Sequence, residues 1–386
     1  MNDDETVDVL KTLIKTDSSN PDVGNGPGEA EIAKVVESLL RKAGLEVEIQ
    51  RVRGDRCNVV GILRGRGPGK RLMLNGHMDT VGVENMEVAP FEPMEKDGLV
   101  FGRGACDMKG GLAAMISAAK AIASSGRRLK GDLYIAAVVD EEYDSIGSEK
   151  VLDGYPVDGV IICEPTEMSV GVAHMGFAWI EIEAIGKAAH GSVAEEGQDA
   201  IVDMARIIEE IQAIETSGGR KSHELLGTPR FHTSKILGGQ DWSIVPDRCR
   251  LMVERRTLPG ETSADILEEI RKAIAKATAK FPRITAESKL VFERAPLETS
   301  RNADVAQAVA GAVKTVTGGA PKFDGLPYWS DASIFSTRGG IPSVLFGPGS
   351  IRHAHSAIEY VPVQEVKVSA HVLADAVVRF CQTADG

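Results

Sequence analysis

Residue types that bind metal ions stand at the ends of five strand-like stretches of this sequence. The stretches read RLMLNGHMD, FGRGACD, YIAAVVDEE, GVIICE and GIPSVLFGPGSIRHAH. In an open α/β sheet, groups just beyond the carboxyl ends of the strands converge on one crevice. Two histidines and several carboxylates in such a crevice are typical of a site for two hydrolytic metal ions rather than a structural metal site. The candidate residues are His77, Asp79, Asp107, Glu141, Glu142, Glu164 and His355.

The first two stretches offer a histidine and two carboxylates. His77 and Asp79 lie on one side of an extended chain, so Asp79 can hold the second ring nitrogen of a metal-bound His77, although structural hydrogen bonding also produces this spacing. Asp107 lies in GRGACDMKGG, whose glycines permit close backbone approach. Its competing role is to cap the Ala-rich helix that follows. Cys106 and Cys163 precede candidate ligands, and side-chain alternation on a strand should turn both away from the metals.

The remaining stretches supply carboxylates and a last histidine. Glu141 and Glu142 are adjacent, so their side chains diverge and one can bind metal while the other acts as a general base. A solvated acidic loop is the alternative. Burying a lone carboxylate at Glu164, beside Ile-Ile-Cys, would be costly without a cation. His355 is the last candidate ligand, and His353 is its rival.

The elements that must position these residues follow an α/β pattern in the first and last parts of the chain. Helical spacing occurs at 6–16, 28–43 and 108–125, and LYIAAVVD and GVIICE are continuous apolar strands of the kind covered on both faces. From about residue 176 the pattern changes, because FAWIEIEAIG alternates as a half-exposed strand does. The order there, β-α-β-β-α-β, is ferredoxin-like. We therefore predict an α/β catalytic domain at 1–175 and 295–386, with an α+β domain inserted at 176–294.

Composition excludes several classes of function. The 386 residues include 44 Lys and Arg against 56 Asp and Glu, a formal charge of −12. Nucleic acids and anionic membranes need clustered cations, so neither is an expected partner. The acidic start lacks signal-peptide features, and no apolar run reaches the roughly 20 residues of a membrane span. Five scattered cysteines without CxxC pairing indicate a reducing compartment, so we expect a cytoplasmic protein.

The series HMD, GRGACDMKGG, DEE, EPT and AHSAIEYV resembles, in this order, the motifs of a known enzyme family. This is the acetylornithine deacetylase / succinyl-diaminopimelate desuccinylase / glutamate carboxypeptidase family of dinuclear zinc hydrolases. The resemblance spans nearly the whole chain, and its motifs are specific as a set. It implies a three-layer catalytic domain of the zinc-peptidase type, with the inserted domain serving as a lid and in dimerisation.

The resemblance also implies how the ligands are divided between two metal ions. His77 and Glu164 would bind one ion. Glu142 and His355 would bind the other, and Asp107 would bridge both. Zinc is the metal that the resemblance implies, although oxygen-rich sites also admit cobalt or manganese.

Catalytic roles follow from the same resemblance. Asp79 would orient His77, and Glu141 would be the general base for a water shared by the two metals. His190, in GKAAHGS, matches the lid histidine that reaches a neighbouring subunit's active site and polarises the scissile carbonyl. Without the family pattern it reads as a surface turn histidine. A homodimer is therefore the expected assembly.

Two further positions concern the substrate. Arg256, in VERRTLPGE, matches the arginine that clamps a substrate carboxylate. Arg255 would point to the opposite face of the strand, so one of the pair is expected to be solvated. Ser243, in SIVPD, stands where many relatives carry an asparagine that binds substrate or oxyanion. Serine is shorter and offers one donor, which leaves the substrate open.

The predicted function is the metal-dependent hydrolysis of an amide bond in a small N-acyl amino acid. The resemblance favours an enzyme similar to acetylornithine deacetylase or succinyl-diaminopimelate desuccinylase. A carboxypeptidase or dipeptidase that acts on short peptides is the runner-up. A non-catalytic member that binds a small molecule is a remote alternative, and a related zinc aminopeptidase would lack the inserted lid.

Overall fold

The computed structural model of the chain describes residues 2–216 and 221–382. It divides into two compact units. The first unit comprises Met1–Ala173, Glu298–Gly325 and Ser330–Gly386. The second unit comprises His174–Leu297 and Leu326–Trp329.

Helices and strands alternate through most of the described chain. The helices are α1 (Asp3–Ile14), α2 (Pro21–Gly24), α3 (Ala30–Lys42), α4 (Gly110–Ser124), α5 (Ile146–Gly154), α6 (Ala200–Thr216), α7 (Ser263–Lys280), α8 (Asp304–Thr317) and α9 (Val363–Cys381). The strands are β1 (Glu46–Arg53), β2 (Arg56–Leu63), β3 (Leu72–His77), β4 (Met94–Lys96), β5 (Leu99–Phe101), β6 (Leu133–Val138), β7 (Gly159–Ile162), β8 (Val170–His174), β9 (Gly176–Ile185), β10 (Phe231–Gly238), β11 (Arg248–Thr257), β12 (Thr285–Arg294), β13 (Leu297–Glu298), β14 (Phe323–Leu326), β15 (Ser343–Leu345) and β16 (Tyr360–Pro362). Within the described residues, no helix is both long enough and apolar enough to cross a membrane.

A mixed nine-stranded sheet forms the centre of the first unit. Its strand order is β1-β2-β6-β3-β7-β15-β8-β13, and β14 pairs with β8. Strands β6, β3, β7 and β15 run parallel to one another, whereas β1 and β2 are antiparallel at one edge. The carboxyl ends of the parallel strands therefore meet at one edge of the sheet. The predicted α/β fold class is confirmed.

The central strands and the helix after Asp107 approach one another closely. Every residue of β3, β6 and β7 is buried, as continuous apolar strands in such sheets are. Helices α1 and α4 pack against each other and against α9, which also packs against α8. A Cβ atom on Gly111, in the first turn of α4, would lie 1.9 Å from the carbonyl oxygen of Cys163. Only glycine permits this approach, which brings the start of α4 to the end of β7.

The second unit is a four-stranded antiparallel sheet with two helices. Its strand order is β10-β11-β9-β12, and α6 and α7 contact each other and the sheet. Alternation along β9 buries Ala178, Ile180 and Ile182 in the core of this unit. The chain order of the elements is the predicted β-α-β-β-α-β. The roles of this unit as a lid and in dimerisation stay predictions.

Three short segments differ from the predicted domain boundaries. Residues 174–175, 295–297 and 326–329 fall in the predicted catalytic domain, but they belong to the second unit. For the last segment the physical reason is Trp329, whose ring lies edge-on to Phe177 at 6.1 Å between centroids. The indole Nε1 of Trp329 also donates a hydrogen bond to the carbonyl oxygen of Ala295, at 3.1 Å.

Candidate metal centre

Six of the predicted ligand and base residues lie together in the first unit. Strand β3 ends at His77, Glu141 and Glu142 follow β6, and Glu164 follows β7. Two groups of three residues each bring possible ligand atoms within 4.8 Å of one another. One group is His77, Glu141 and Glu164, and the other is His77, Asp107 and Glu142. The full set is His77, Asp107, Glu141, Glu142, Glu164 and His355.

Asp107 lies between the two histidines. The His77 Nε2 atom is 3.0 Å from Asp107 Oδ1 and 3.6 Å from Glu164 Oε1. The His355 Nε2 atom is 3.2 Å from Asp107 Oδ2 and 3.1 Å from Glu142 Oε2. Each oxygen of Asp107 thus faces a different histidine. A carboxylate that bridges two metal ions needs this arrangement, and the bridging role itself stays a prediction.

Asp107 is not the cap of the following helix. Helix α4 has Lys109 as its N-cap residue, without a side-chain cap. The backbone N–H groups of Cys106 and Asp107 instead donate to Glu359 Oε1, at 2.9 Å and 3.0 Å. The other oxygen of Glu359 accepts from Arg103 at 2.7 Å. Sequence reasoning assigned no role to Glu359; its only signal was a carboxylate between Ile358 and Tyr360 in the last motif.

The contacts of Asp79 differ from the expectation in one respect. His77 Nδ1 lies 2.9 Å from the backbone carbonyl oxygen of Asp79, whereas the nearer carboxylate oxygen is 3.6 Å away, too far for a hydrogen bond. The Asp79 carboxylate accepts instead from the backbone N–H groups of Glu141 and Glu142 and from the side-chain amide of Asn20. The His77 ring is therefore hydrogen-bonded to the main chain of Asp79, and the orienting role of the Asp79 carboxylate stays a prediction.

The alternatives at three other positions do not hold. The Glu142 side chain is only 6% exposed, which excludes a solvated acidic loop. His353, the rival of His355, stacks on Tyr360 with ring centroids 4.1 Å apart. Cys106 is buried, and its thiol donates to the carbonyl oxygen of Ser350 at 3.2 Å.

The charges of the cluster fit divalent cations. Burial, together with neighbouring carboxylates, raises the pKa of Glu141 and of Glu164 well above the usual range. Burial disfavours a charge on His77, yet hydrogen bonding to Asp107 and the surrounding carboxylates raises its pKa well above the usual value. Four carboxyl groups and two imidazoles are thus packed together, and when all four carboxyl groups are ionised their negative charge exceeds what two imidazolium rings can balance. Two bound cations would neutralise this excess, so the donor set fits a pair of metal ions.

Two of the remaining predicted residues lie near each other in the second unit. His190 is exposed, and its Nδ1 accepts the backbone N–H of Ser192 at 3.2 Å. A neutral ring in this contact carries its proton on Nε2. The N–H of Gly191 donates to the carbonyl oxygen of Ser243 at 2.7 Å. The Ser243 hydroxyl lies 3.3 Å from Asp241 Oδ1.

The two arginines of β11 have different environments. Arg255 is 1% exposed and pairs with Glu261 at 2.9 Å, so Arg255 is not the solvated member of the pair. Arg256 is partly exposed, and its Nε lies 2.9 Å from Glu254 Oε1. Its guanidinium carbon lies 5.6 Å from the ring centroid of Phe177. A substrate carboxylate at Arg256 would therefore share the guanidinium with Glu254.

Asp331 is a buried carboxylate of the first unit that sequence reasoning did not single out. Burial raises its pKa to about 6. Its Oδ2 atom accepts from the Ser148 hydroxyl at 2.6 Å. The charge of Asp331 contributes to the raised pKa of Glu141. The surrounding WSDAS sequence gave no signal beyond a possible pocket wall.

Comparisons of the sequence and the structure with known proteins show which family the chain resembles. A model of the Peptidase family M20/M25/M40 matches residues 73–379. Acetylornithine deacetylase of Myxococcus xanthus is 30% identical over 358 residues, which cover 89% of this chain and 90% of that protein. N-formyl-4-amino-5-aminomethyl-2-methylpyrimidine deformylase of Bacillus subtilis (strain 168) is 27% identical, over 98% of this chain and 95% of that protein. The structure of aminopeptidase PepT from Bacillus cereus ATCC 10987 is similar in fold, with a TM-score of 0.82 and 20% sequence identity. The match covers 99% of this chain and 100% of that chain.

The family model covers more than half of the chain, and the deacetylase is 30% identical over most of the length of both proteins. The resemblance predicted from the sequence motifs is therefore confirmed. The cluster of histidines and carboxylates supplies the ligands that a metal-dependent enzyme needs. The chain belongs to the M20/M25/M40 peptidase family and is a metal-dependent hydrolase.

Proposed function

We propose that the chain hydrolyses the amide bond of a small N-acyl amino acid, as a deacylase. The observation that carries the proposal is the position of Glu141, a buried carboxylate within 4.8 Å of possible ligand atoms of His77 and Glu164. A potential base beside a potential metal site is the arrangement that amide hydrolysis requires. The similarity to acetylornithine deacetylase supports an acyl amino acid as the substrate.

The proposed cofactors are two zinc ions, for which cobalt or manganese could substitute. His77 and Glu164 would hold one ion, Glu142 and His355 the other, and Asp107 both. When bound, such ions polarise the substrate carbonyl and make water a better nucleophile at neutral pH. The approach of Asp107 to both histidines supports this division of ligands.

Glu141 is the proposed general base. Its carboxylate takes a proton from the attacking water and then delivers it to the leaving amine. Burial raises the pKa of this carboxyl, which makes it a stronger proton acceptor than an exposed glutamate. The backbone N–H of Glu141 is held by Asp79 Oδ1 at 3.2 Å, which limits where the carboxylate can lie.

The proposed substrate contacts belong to the second unit. His190 would donate from Nε2 to the developing oxyanion, and its Nδ1 contact with Ser192 favours the tautomer that this requires. Arg256 would bind the substrate carboxylate, and Ser243 would contribute one hydroxyl. The ion pair between Arg256 and Glu254 favours a modest contribution from this arginine.

We also propose that the active form is a cytoplasmic homodimer. Strand β10 is an edge of its sheet, and its apolar side chains Ile236 and Leu237 are 48% and 41% exposed. An exposed apolar edge strand is a ready surface for pairing with another chain. All five cysteines are unpaired, which supports a reducing compartment.

A panel of amide substrates tests the deacylase proposal. Amine release would be measured with zinc-loaded protein on N-acetylornithine, N-succinyl-diaminopimelate, N-acetylmethionine, an N-formyl aminopyrimidine and several dipeptides. The formyl compound is included because of the deformylase relative. Glu141→Ala is the control, and its loss of turnover should be at least about 100-fold, the lower end for general acid–base catalysis.

Each outcome of the panel assigns a class. Turnover of an acyl amino acid that the control loses supports the deacylase. Turnover restricted to dipeptides replaces it with a dipeptidase or carboxypeptidase. If none of the amides is cleaved although two metal ions bind per chain, the deacylase proposal is rejected in favour of a binding role.

A further inference from the structure

The turn that carries Glu141 and Glu142 is held by one buried carboxylate. The backbone N–H of Glu141 donates to Asp79 Oδ1 at 3.2 Å, and that of Glu142 donates to Asp79 Oδ2 at 3.1 Å. Asp140, which precedes them, has a φ of 70°, in the left-handed region that few non-glycine residues adopt. The direction of both glutamates therefore depends on where the Asp79 carboxylate lies.

Asn20 fixes that carboxylate from a distant part of the chain. Its Nδ2 donates to Asp79 Oδ2 at 2.8 Å and to Asp140 Oδ1 at 3.1 Å. The residue is fully buried. Its backbone N–H donates to the carbonyl oxygen of Thr80 at 2.8 Å. One amide group thus joins Asp79 to the residue directly before the glutamate pair.

The local charge balance makes the Asn20 amide hard to replace. Asp79, Asp140 and Glu29 are three buried carboxylates, and Arg56 is the cation paired with Glu29 and Asp140, at 2.6 Å and 2.7 Å. Asp79 makes neither of those ion pairs. A buried acceptor that loses its donor bears its full desolvation cost, so removal of the amide would drive Asp79 and Asp140 apart.

We propose that Asn20 is a positioning residue for the general base, which it orients through the Asp79 carboxylate and the turn at Asp140. The side chain of Asp79 accordingly serves the glutamate pair, while its backbone carbonyl serves His77. The inference rests on the proposed role of Glu141. The structure places Asn20 one hydrogen bond away from each anchor of the turn, without contact to a candidate metal ligand among the hydrogen bonds of the described residues.

The test compares Asn20→Ala and Asn20→Asp with the wild type. Asn20→Asp keeps the size but replaces the donor by a third carboxylate against Asp79 and Asp140. We expect kcat to fall about 10- to 100-fold, as for other supports behind a metal site, with KM changed less than about twofold. Two metal ions should still bind per chain. The backbone amides of Glu141 and Glu142 should exchange with solvent about tenfold faster.

A matched control separates positioning from a general loss of stability. Thr299→Val removes another buried hydrogen bond of the first unit, from the Thr299 hydroxyl to the carbonyl oxygen of Ser343. It should lower the melting temperature but leave kcat and the exchange of the two glutamate amides unchanged. In an Asp79→Ala background, Asn20→Ala should add little further loss of kcat, because the two residues act as one unit.

Failure of this inference is distinguishable from failure of the proposed function. Hydrogen exchange and metal binding need no substrate, so they test Asn20 even if no amide is cleaved. Unchanged exchange at Glu141 and Glu142 in Asn20→Ala would overturn the inference and leave the hydrolase proposal intact. The inference would also be overturned if Asn20→Ala lowered kcat in the Asp79→Ala background by as much as it does in the wild type.

Discussion

Asp107 and its two histidine neighbours determine how the centre responds to pH. Burial opposes a charge on His355, but hydrogen bonds to Asp107 and Glu142 and their charges raise its pKa to about 11. The charges and hydrogen bonds of both histidines hold the pKa of Asp107 well below its usual value, although its own burial acts in the other direction. In the metal-free protein, a proton on His355 Nε2 therefore stands where a metal ion would bind.

We expect the apparent metal affinity to rise with pH for this reason. A cation that binds His355 Nε2 must displace a proton, so the affinity should increase about tenfold per pH unit for each proton displaced. Calorimetric titration of metal-free protein with zinc, in buffers of different ionisation enthalpy, measures the number of protons released. An affinity that stays constant between about pH 6 and 8 would contradict this.

The same shift affects the stability of the metal-free protein. A raised pKa means that the folded state holds its proton more tightly, so the stabilisation from His355 is complete below the ordinary value of 6.5. It should decline as the pH rises towards about 11. Urea unfolding of wild type and His355→Ala across this window measures the difference, and the gap between the two should narrow with increasing pH.

Substitution of Glu359 should show how far metal binding depends on residues behind the candidate ligands. Glu359→Gln keeps one acceptor for the N–H groups of Cys106 and Asp107 but removes the charge that faces Arg103. We expect metal binding to weaken about 10- to 100-fold. Glu365→Gln is the matched control, since Glu365 also accepts a backbone N–H, that of Gly349, at 2.7 Å. Equal weakening in both variants would argue against a specific role for Glu359.

At the level of helices and strands, the close approach of α4 to β7 should be the most sensitive contact. Gly111→Ala would place a methyl group within 1.9 Å of the Cys163 carbonyl oxygen, so helix or strand must move. Overpacking of this kind costs about 1–3 kcal/mol, and it would also displace Asp107. We expect a lower melting temperature together with weaker zinc binding. Lys120→Ala, at a partly exposed position of the same helix, removes an ion pair with Glu5 and should change the melting temperature and zinc binding no more than a surface substitution does.

Most of the longer elements could be predicted from their residue patterns. The apolar stretch before Glu164 and the alternating FAWIEIEAIG became β7 and β9, and the Ala-rich segment became α4. The three-residue strands β4, β5 and β16 could not be predicted in this way. Their strand character depends on pairing with one another rather than on any pattern within three residues.

The ligand cluster could also be predicted from the sequence, whereas the residues that support it, Asn20 and Glu359, could not. Ligand types at strand ends are visible in the sequence because parallel strands deliver them to one edge. Asn20 and Glu359 reach the centre through contacts that span 59 and 252 residues. Neither lies at the end of a central strand, so no local pattern marks them.

For the molecule as a whole, the proposed dimer makes a specific prediction about β10. Leu237→Lys would place a charge on the exposed apolar edge, and we expect the dimer to dissociate, as measured by light scattering on a sizing column. If His190 acts across subunits, the monomer should lose activity while keeping both metal ions. Val291→Lys is the control, because Val291 is 58% exposed on the opposite edge strand, β12. A wild-type monomer, or equal dissociation in both variants, would reject pairing through β10.

The interrupted order of the first unit has a consequence for protein synthesis. The chain leaves this unit at Ala173 and returns at Glu298, and β15 must then pair with β7, made much earlier. During translation the intervening residues are available to fold first, since domains fold as units from the amino end. His355 emerges last among the candidate ligands. A nascent chain on the ribosome should therefore lack the proposed amide-hydrolysing activity until the residues around position 355 have emerged.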